Sequence, residues 1–207
     1  MASSRLFADR ADAGRRLAAA LPSLEGDVLV LGLARGGVPV AAEVARELSA
    51  PLDVLVVRKV GHPAQPEYAL GAVGEDGVAL PEDLPPNMVE PQLERARRQA
   101  EELRRGRRRA PIAGRCAVVV DDGLATGRSM AVALATVEEH GAARVVMAVP
   151  VAAGPGFRDL AKRHEVHALE VLEPPDFFAV GQFYSDFLQV GDDEVTRLLA
   201  ESGGDSD

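Results

Sequence analysis

The residues best placed to do chemistry lie in one stretch, Val118-Val119-Val120-Asp121-Asp122-Gly123-Leu124-Ala125-Thr126-Gly127-Arg128-Ser129. An apolar run ends in two aspartates. A turn with two glycines and two hydroxyl residues follows, and then a helical pattern begins. Ligands of open α/β sheets gather outside the carboxyl ends of strands. Free backbone N–H groups at a helix start, with hydroxyls beside them, make an anion site. Two adjacent carboxylates repel and raise each other's pKa, so they need a reason to be there. Gripping the neutral hydroxyls of a sugar next to a bound phosphate is such a reason. A purely structural account would give Asp122 a local turn bond and pair Asp121 with an arginine. A second anion-binding stretch is Gly32-Leu33-Ala34-Arg35-Gly36-Gly37. Its glycines let backbone amides approach a ligand, and Arg35 adds charge. The spacing does not fit the dinucleotide fingerprint G-x-G-x-x-G, and no acid ends the next strand, which closes on Arg58-Lys59.

These loops need a scaffold that brings strand ends together. Apolar runs at Asp27–Ala34, Asp53–Val60, Cys116–Val120, Arg144–Val151 and Val166–Val171 alternate with helical patterns at Val38–Leu48, Gly127–His140 and Phe157–His164. Continuous apolar strands separated by helices predict a doubly wound parallel α/β sheet covered on both faces. Met88–Arg105 predicts a long amphipathic helix, with Pro91 in its first turn. The 207 residues suit one domain with insertions. A net charge of −9 argues against whole-surface nucleic-acid binding. A single cysteine, Cys116, excludes a disulfide framework and a multi-cysteine zinc site. The longest charge-free stretch, Val145–Phe157, is too short to span a bilayer. The opening MASSRLFADR has no apolar signal core, so a cytoplasmic protein is expected.

The strand, the acid pair and the Thr-Gly turn together resemble the PRPP-binding motif of type I phosphoribosyltransferases. About 190 residues of the chain, from Arg10 to Leu199, resemble a bacterial group described as predicted phosphoribosyltransferases. The resemblance implies that Asp121 and Asp122 hold the ribose hydroxyls, while Ala125, Thr126, Gly127, Arg128 and Ser129 cradle the 5′-phosphate. It makes Arg35, Gly36 and Gly37 the diphosphate loop, with a non-proline cis peptide near Ala34–Arg35. It implies transfer of phosphoribosyl from PRPP to a nucleobase-like small molecule, Mg2+ held indirectly through Asp121 and Asp122, and a homodimer. A PRPP or nucleotide sensor on the same fold is the alternative. Two departures from the 6-oxopurine enzymes speak against hypoxanthine or guanine. Ala125 stands where those enzymes carry an acid before Thr-Gly, and Asp186 is displaced by one position.

Three further segments complete the reading. The cations Arg58 and Lys59 end a buried strand and need partners; a diphosphate is one for Lys59, and Asp121 or Asp122 is another. Residues 61–79, with His62 and Glu67, are expected to form the flexible loop that relatives close over the reacting bond. Five of the eight aromatics fall in 177–187: Phe177, Phe178, Phe183, Tyr184 and Phe187. Phe178-Ala179-Val180-Gly181 resembles a base-stacking segment, so 173–191 is expected to be a hood, with Phe178 on the base; a core cap or dimer contact is the other account. The arginines of 86–110 alternate with Glu94, Glu101 and Glu102 without aromatics, which predicts a solvated helix face rather than an RNA surface. The core is expected over about 27–172, within a single domain of about 200 residues, and 201–207 to be a disordered tail.

Overall fold

The computed structural model describes residues 5–62, 65–173 and 175–202; the side chains of 62 and 65–68 lie outside that description. Five strands, β1 (Val28–Leu33), β2 (Leu52–Leu55), β6 (Cys116–Val120), β7 (Arg144–Ala153) and β8 (Glu165–Leu172), form one parallel sheet in the order β2-β1-β6-β7-β8. From β1 the chain winds outward to β2, then returns to lay β6 on the other side of β1. The gap between the carboxyl ends of β1 and β6 is therefore the topological switch point, where open α/β sheets bind ligands. Register places Gly32 beside Val120, so the Arg35 loop and the acid pair leave the sheet side by side.

Strand alternation sorts the core. Val30, Val54, Val118 and Val120 face α1 (Arg10–Ala20), α2 (Gly37–Glu47) and α6 (Asp192–Glu201). Leu29, Leu31, Ala117 and Val119 face α4 (Arg128–Glu139) and α5 (Gly154–Ala161). Both faces are covered, which is why the strands read as unbroken apolar runs. Neither α1 nor α6 was expected from the sequence. Asp9 caps α1 by accepting from the Asp12 N–H at 2.7 Å.

The expected second strand, Asp53–Val60, is two strands. The chain leaves the parallel sheet at Val56, and β3 (Val57–His62) pairs antiparallel with β4 (Gln65–Gly74), which pairs with β5 (Ala79–Leu80). Much of the expected loop is thus a hairpin; the side chains of His62 and Glu67 lie outside the described residues. The insertion helix α3 spans Pro86–Arg104. Pro86 takes the first-turn position, and Pro91 lies inside the helix. Helix α5 begins three residues before the expected Phe157.

A buried ion cluster joins the two sheets to α3. Arg104 Nε donates to Asp53 Oδ1 at 3.0 Å, and Nη1 and Nη2 donate to Glu75 at 2.6 and 3.0 Å. Nη2 also donates to the Val54 carbonyl, and Asp53 Oδ2 accepts the Ala110 N–H. Burial disfavours the charge on Arg104, but the bonds and charges of Glu75 and Asp53 more than offset it and raise its pKa. Asp53 and Glu75, which a truncation of Arg104 would strand, are both buried. Replacing Arg104 with alanine should therefore cost about 3–5 kcal/mol in urea unfolding at neutral pH. A loss below about 1 kcal/mol would refute this account of the seam.

Candidate active site at the sheet switch point

The acid pair follows β6. Asp121 Oδ1 accepts the Asp122 N–H at 2.9 Å. Asp122 Oδ2 accepts from Arg10 Nε at 2.9 Å, and this pair is mostly buried. The structural account of the doublet is present with its roles exchanged: Asp121 makes the local bond and Asp122 pairs with the arginine. Each acid nonetheless keeps one carboxylate oxygen without a protein partner among the described residues. Arg58 bonds to Gln99 instead, and neither it nor Lys59 pairs with the doublet.

Arg10 has two further contacts. Its Nη1 donates to the Leu188 carbonyl at 2.8 Å, and its guanidinium lies 3.9 Å from the centre of the Phe187 ring. Tyr184 adds a second tie, its hydroxyl donating to the Asp122 carbonyl at 2.6 Å. Burial, then the nearby Asp122 charge, pushes the Tyr184 phenol upward in pKa, so it stays a donor. Val180 closes against Gly123, where a Cβ would come within 2.5 Å of it. The hood is thereby fixed to the acid turn.

The Arg35 loop lies against the doublet. A Cβ on Gly36 would lie 2.2 Å from Asp122 Oδ2, and one on Gly37 would lie 2.6 Å from the Val120 carbonyl. The glycines are there for close approach. The Ala34–Arg35 peptide is cis, as expected. Helices α2 and α4 both start beside the doublet, and neither has a side-chain cap. Gly127 takes the left-handed conformation, φ +76°, that opens α4. Uncapped N-termini leave N–H groups free for an anion. Ala125, Thr126 and Arg128 are exposed on this turn, while Gly127 and Ser129 are half-buried. The Arg128 guanidinium donates to the Ala69 carbonyl of β4. Arg10, Arg35, Gly36, Asp122, Val180 and Phe187 line a pocket of about 530 Å3. A larger groove, about 960 Å3, lies by Arg46, Pro51 and Leu52, at the amino end of β2 and away from these loops.

The phosphoribosyl transferase domain model matches residues 4–187. The chain belongs to the phosphoribosyl transferase domain family. It is 51% identical over 210 residues to "Putative phosphoribosyl transferase Rv0571c" of Mycobacterium tuberculosis, covering 94% of this chain and 46% of that protein. The chain thus spans about half the length of the curated relatives it matches. It is 49% identical to TT1426 from Thermus thermophilus, whose crystal structure superposes with a TM-score of 0.82 over 96% of this chain and 99% of that one. A hypothetical protein from Neisseria gonorrhoeae with bound ppGpp shares the fold at 14% identity, with a TM-score of 0.51 over 97% and 98% of the chains.

Within this family member, the structure gathers Asp121, Asp122, Arg35, Gly36, Gly37 and the 125–129 turn at one sheet edge. Lys59 is exposed on β3 and does not line that pocket. The five clustered aromatics divide. Phe183 and Tyr184 are core residues with Phe7, Phe177 packs on Phe183, and Phe178 is 84% exposed. Phe187, which lines the pocket, was not singled out for the base, and Arg10 was not singled out at all. The signal for Arg10 was the Asp9 cap, which starts a helix whose first residue is Arg10. Asp186 Oδ1 accepts the Leu188 N–H, a local bond.

Two substitutions probe this geometry. Gly36→Ala should displace the Asp122 carboxylate and cost about 1–3 kcal/mol in chemical unfolding, as overpacking does. An unchanged midpoint would refute the close approach. Burial, then the charge of Asp122, holds the Asp121 carboxyl well above the usual carboxylate range. Its native form binds a proton more tightly than the unfolded chain does, so its contribution to stability is full in acid and lost as pH rises through the native pKa. Asp121→Asn should raise Tm at pH 7 by about 2–4 °C. The gain should shrink near pH 4; a gain independent of pH would contradict the assignment.

Proposed function

We propose that this chain is a Mg2+-dependent phosphoribosyltransferase that moves the 5-phosphoribosyl group from PRPP to a ring nitrogen of a base, releasing pyrophosphate. The observation that carries this reading is the contact of the acid doublet with the glycine loop at the switch point, between two uncapped helix N-termini. The free oxygens of Asp121 and Asp122 accept the ribose hydroxyls. The amides of 126–129, with Ser129, hold the 5′-phosphate. Arg35 and the Gly36-Gly37 backbone hold the diphosphate, with Lys59, exposed on β3, as a further phosphate-side cation. The bond from C1 to the diphosphate oxygen breaks, a C1–N bond forms, and the proton of the base nitrogen passes to the departing diphosphate or to water. Positive charge grows on the ribose ring as the diphosphate departs, so catalysis is positioning plus electrostatics.

No cluster of three acidic, histidine or cysteine side chains that could cage a metal exists among the described residues. That donor set fits an ion carried mainly by substrate oxygens, with Asp121 and Asp122 supporting it through hydroxyls or water. Bound there, Mg2+ would neutralise the leaving diphosphate. Phe187, in the pocket wall, and Phe178, exposed in the same segment, are the rings we assign to a base. A PRPP or nucleotide sensor has one observation in its favour: Ala125 supplies no acid beside the base.

Calorimetry with PRPP and Mg2+, followed by pyrophosphate release across a panel of bases, tests both readings. PRPP should bind, and at least one base should trigger release; binding without turnover across the panel would select the sensor. Asp122→Asn should weaken PRPP by about 10–100-fold, the range of a lost hydrogen bond to a charged group. Unchanged affinity would remove Asp122 from the site.

A further inference from the structure

Arg35 also stands at the mouth of a second pocket. This one, about 310 Å3, is lined by Arg35, Arg58, Arg95, Arg98, Gln99, Glu102 and Asp192. Arg35 is the one residue it shares with the pocket at Asp122. Residues 95, 98, 99 and 102 follow i, i+3, i+4, i+7 spacing, so they form one stripe along α3. The stripe meets β3 through Gln99, whose Oε1 accepts from Arg58 Nη1, while Arg104 lies on the opposite, buried face of the helix. Four arginines against Glu102 and Asp192 leave a local charge of +2, in a chain whose total is −9.

The cations are not used up internally. Arg95 has no ion pair among the described residues, and Arg98 meets Glu94 only at 4.0 Å on the exposed surface. Arg58 Nη1 donates to Gln99 Oε1 at 3.0 Å, but its Nε is buried with no partner. An unpaired buried N–H of a guanidinium is costly unless a ligand or water meets it. Arg35 pairs with Asp192 at 3.3 Å, a half-exposed contact that a stronger anion can replace. Cationic forks in a small pocket, joined through Arg35 to the diphosphate loop, match the oxygens of a diphosphate group.

We infer that α3 supplies a diphosphate-binding subsite of its own, in which Arg95 and Arg98 act with Arg58 and Arg35. The arginine stripe is then part of the anion machinery rather than a solvated face. The identity of its source as PRPP rests on the proposed transferase reading; the subsite itself does not.

Calorimetry on the full chain, with Mg2+ present, separates the two. The probes are inorganic pyrophosphate and ribose 5-phosphate. Arg95→Ala/Arg98→Ala should weaken pyrophosphate by about tenfold or more and leave ribose 5-phosphate within about twofold. Arg105→Ala/Arg108→Ala, with the same charge change away from the pocket, should leave both within about twofold. Arg95 and Arg98 are exposed, so circular dichroism and Tm of their variants should match the parent. Arg95→Gln/Arg98→Gln, which keeps much of the stems, should repeat the loss. Equal pyrophosphate affinity in parent and Arg95/Arg98 variants overturns the inference. So does an equal loss in the control, or no pyrophosphate binding to the parent at millimolar concentration. If the pyrophosphate pattern holds while ribose 5-phosphate does not bind, the subsite stands and the transferase reading falls.

Discussion

One guanidinium organises the site. Arg10 meets a carboxylate at the end of β6, a ring of the hood and a hood carbonyl with a single fork. Without that cation, two adjacent half-buried carboxylates would face each other with no counter-charge, and the pair would hold a proton more tightly still. Burial already pushes Asp122 upward; Arg10 is the main opposing influence. The same contact fixes the first helix of the chain to a segment near its end, so the acids, the hood and α1 form one mechanical unit.

Close packing at the switch point is the second constraint. Adjacent parallel strands lie roughly 4.8 Å apart, so loops leaving β1 and β6 compete for one space. Gly36 and Gly37 resolve the competition by having no side chain where the Asp122 carboxylate and the Val120 carbonyl lie. Gly123 does the same for Val180, and Gly181 for the Phe187 ring. The glycines thus record backbone approaching side chain rather than flexibility. The acid doublet and the uncapped starts of α2 and α4 are brought together at the switch point as a result.

Features carried by local chemistry were legible in the sequence. The doublet, its Thr-Gly turn and the Arg-Gly-Gly loop were recognisable because strand, turn and helix start follow in a few residues. The parallel sheet was legible because both its faces are covered. Features set by partners far along the chain were not. Arg10 and Asp122 are 112 residues apart, and nothing in either segment names the other. The break at Val56 lies inside an unbroken apolar run, so periodicity could not show the chain changing sheets. The aromatic segment looked uniform, yet Phe183 and Tyr184 fill the core while Phe178 is exposed. In α3, Arg95, Arg97 and Arg98 are exposed, while Arg104 turns inward because its partners Asp53 and Glu75 lie far back along the chain.

A crystal of the full chain soaked with ribose 5-phosphate and Mg2+ tests the central claim most directly. The account predicts density with the phosphate on the amides of 126–129 and the ribose hydroxyls on the free oxygens of Asp121 and Asp122. A sugar phosphate bound anywhere else, or an acid doublet that stays closed by protein side chains at saturating ligand, would contradict it.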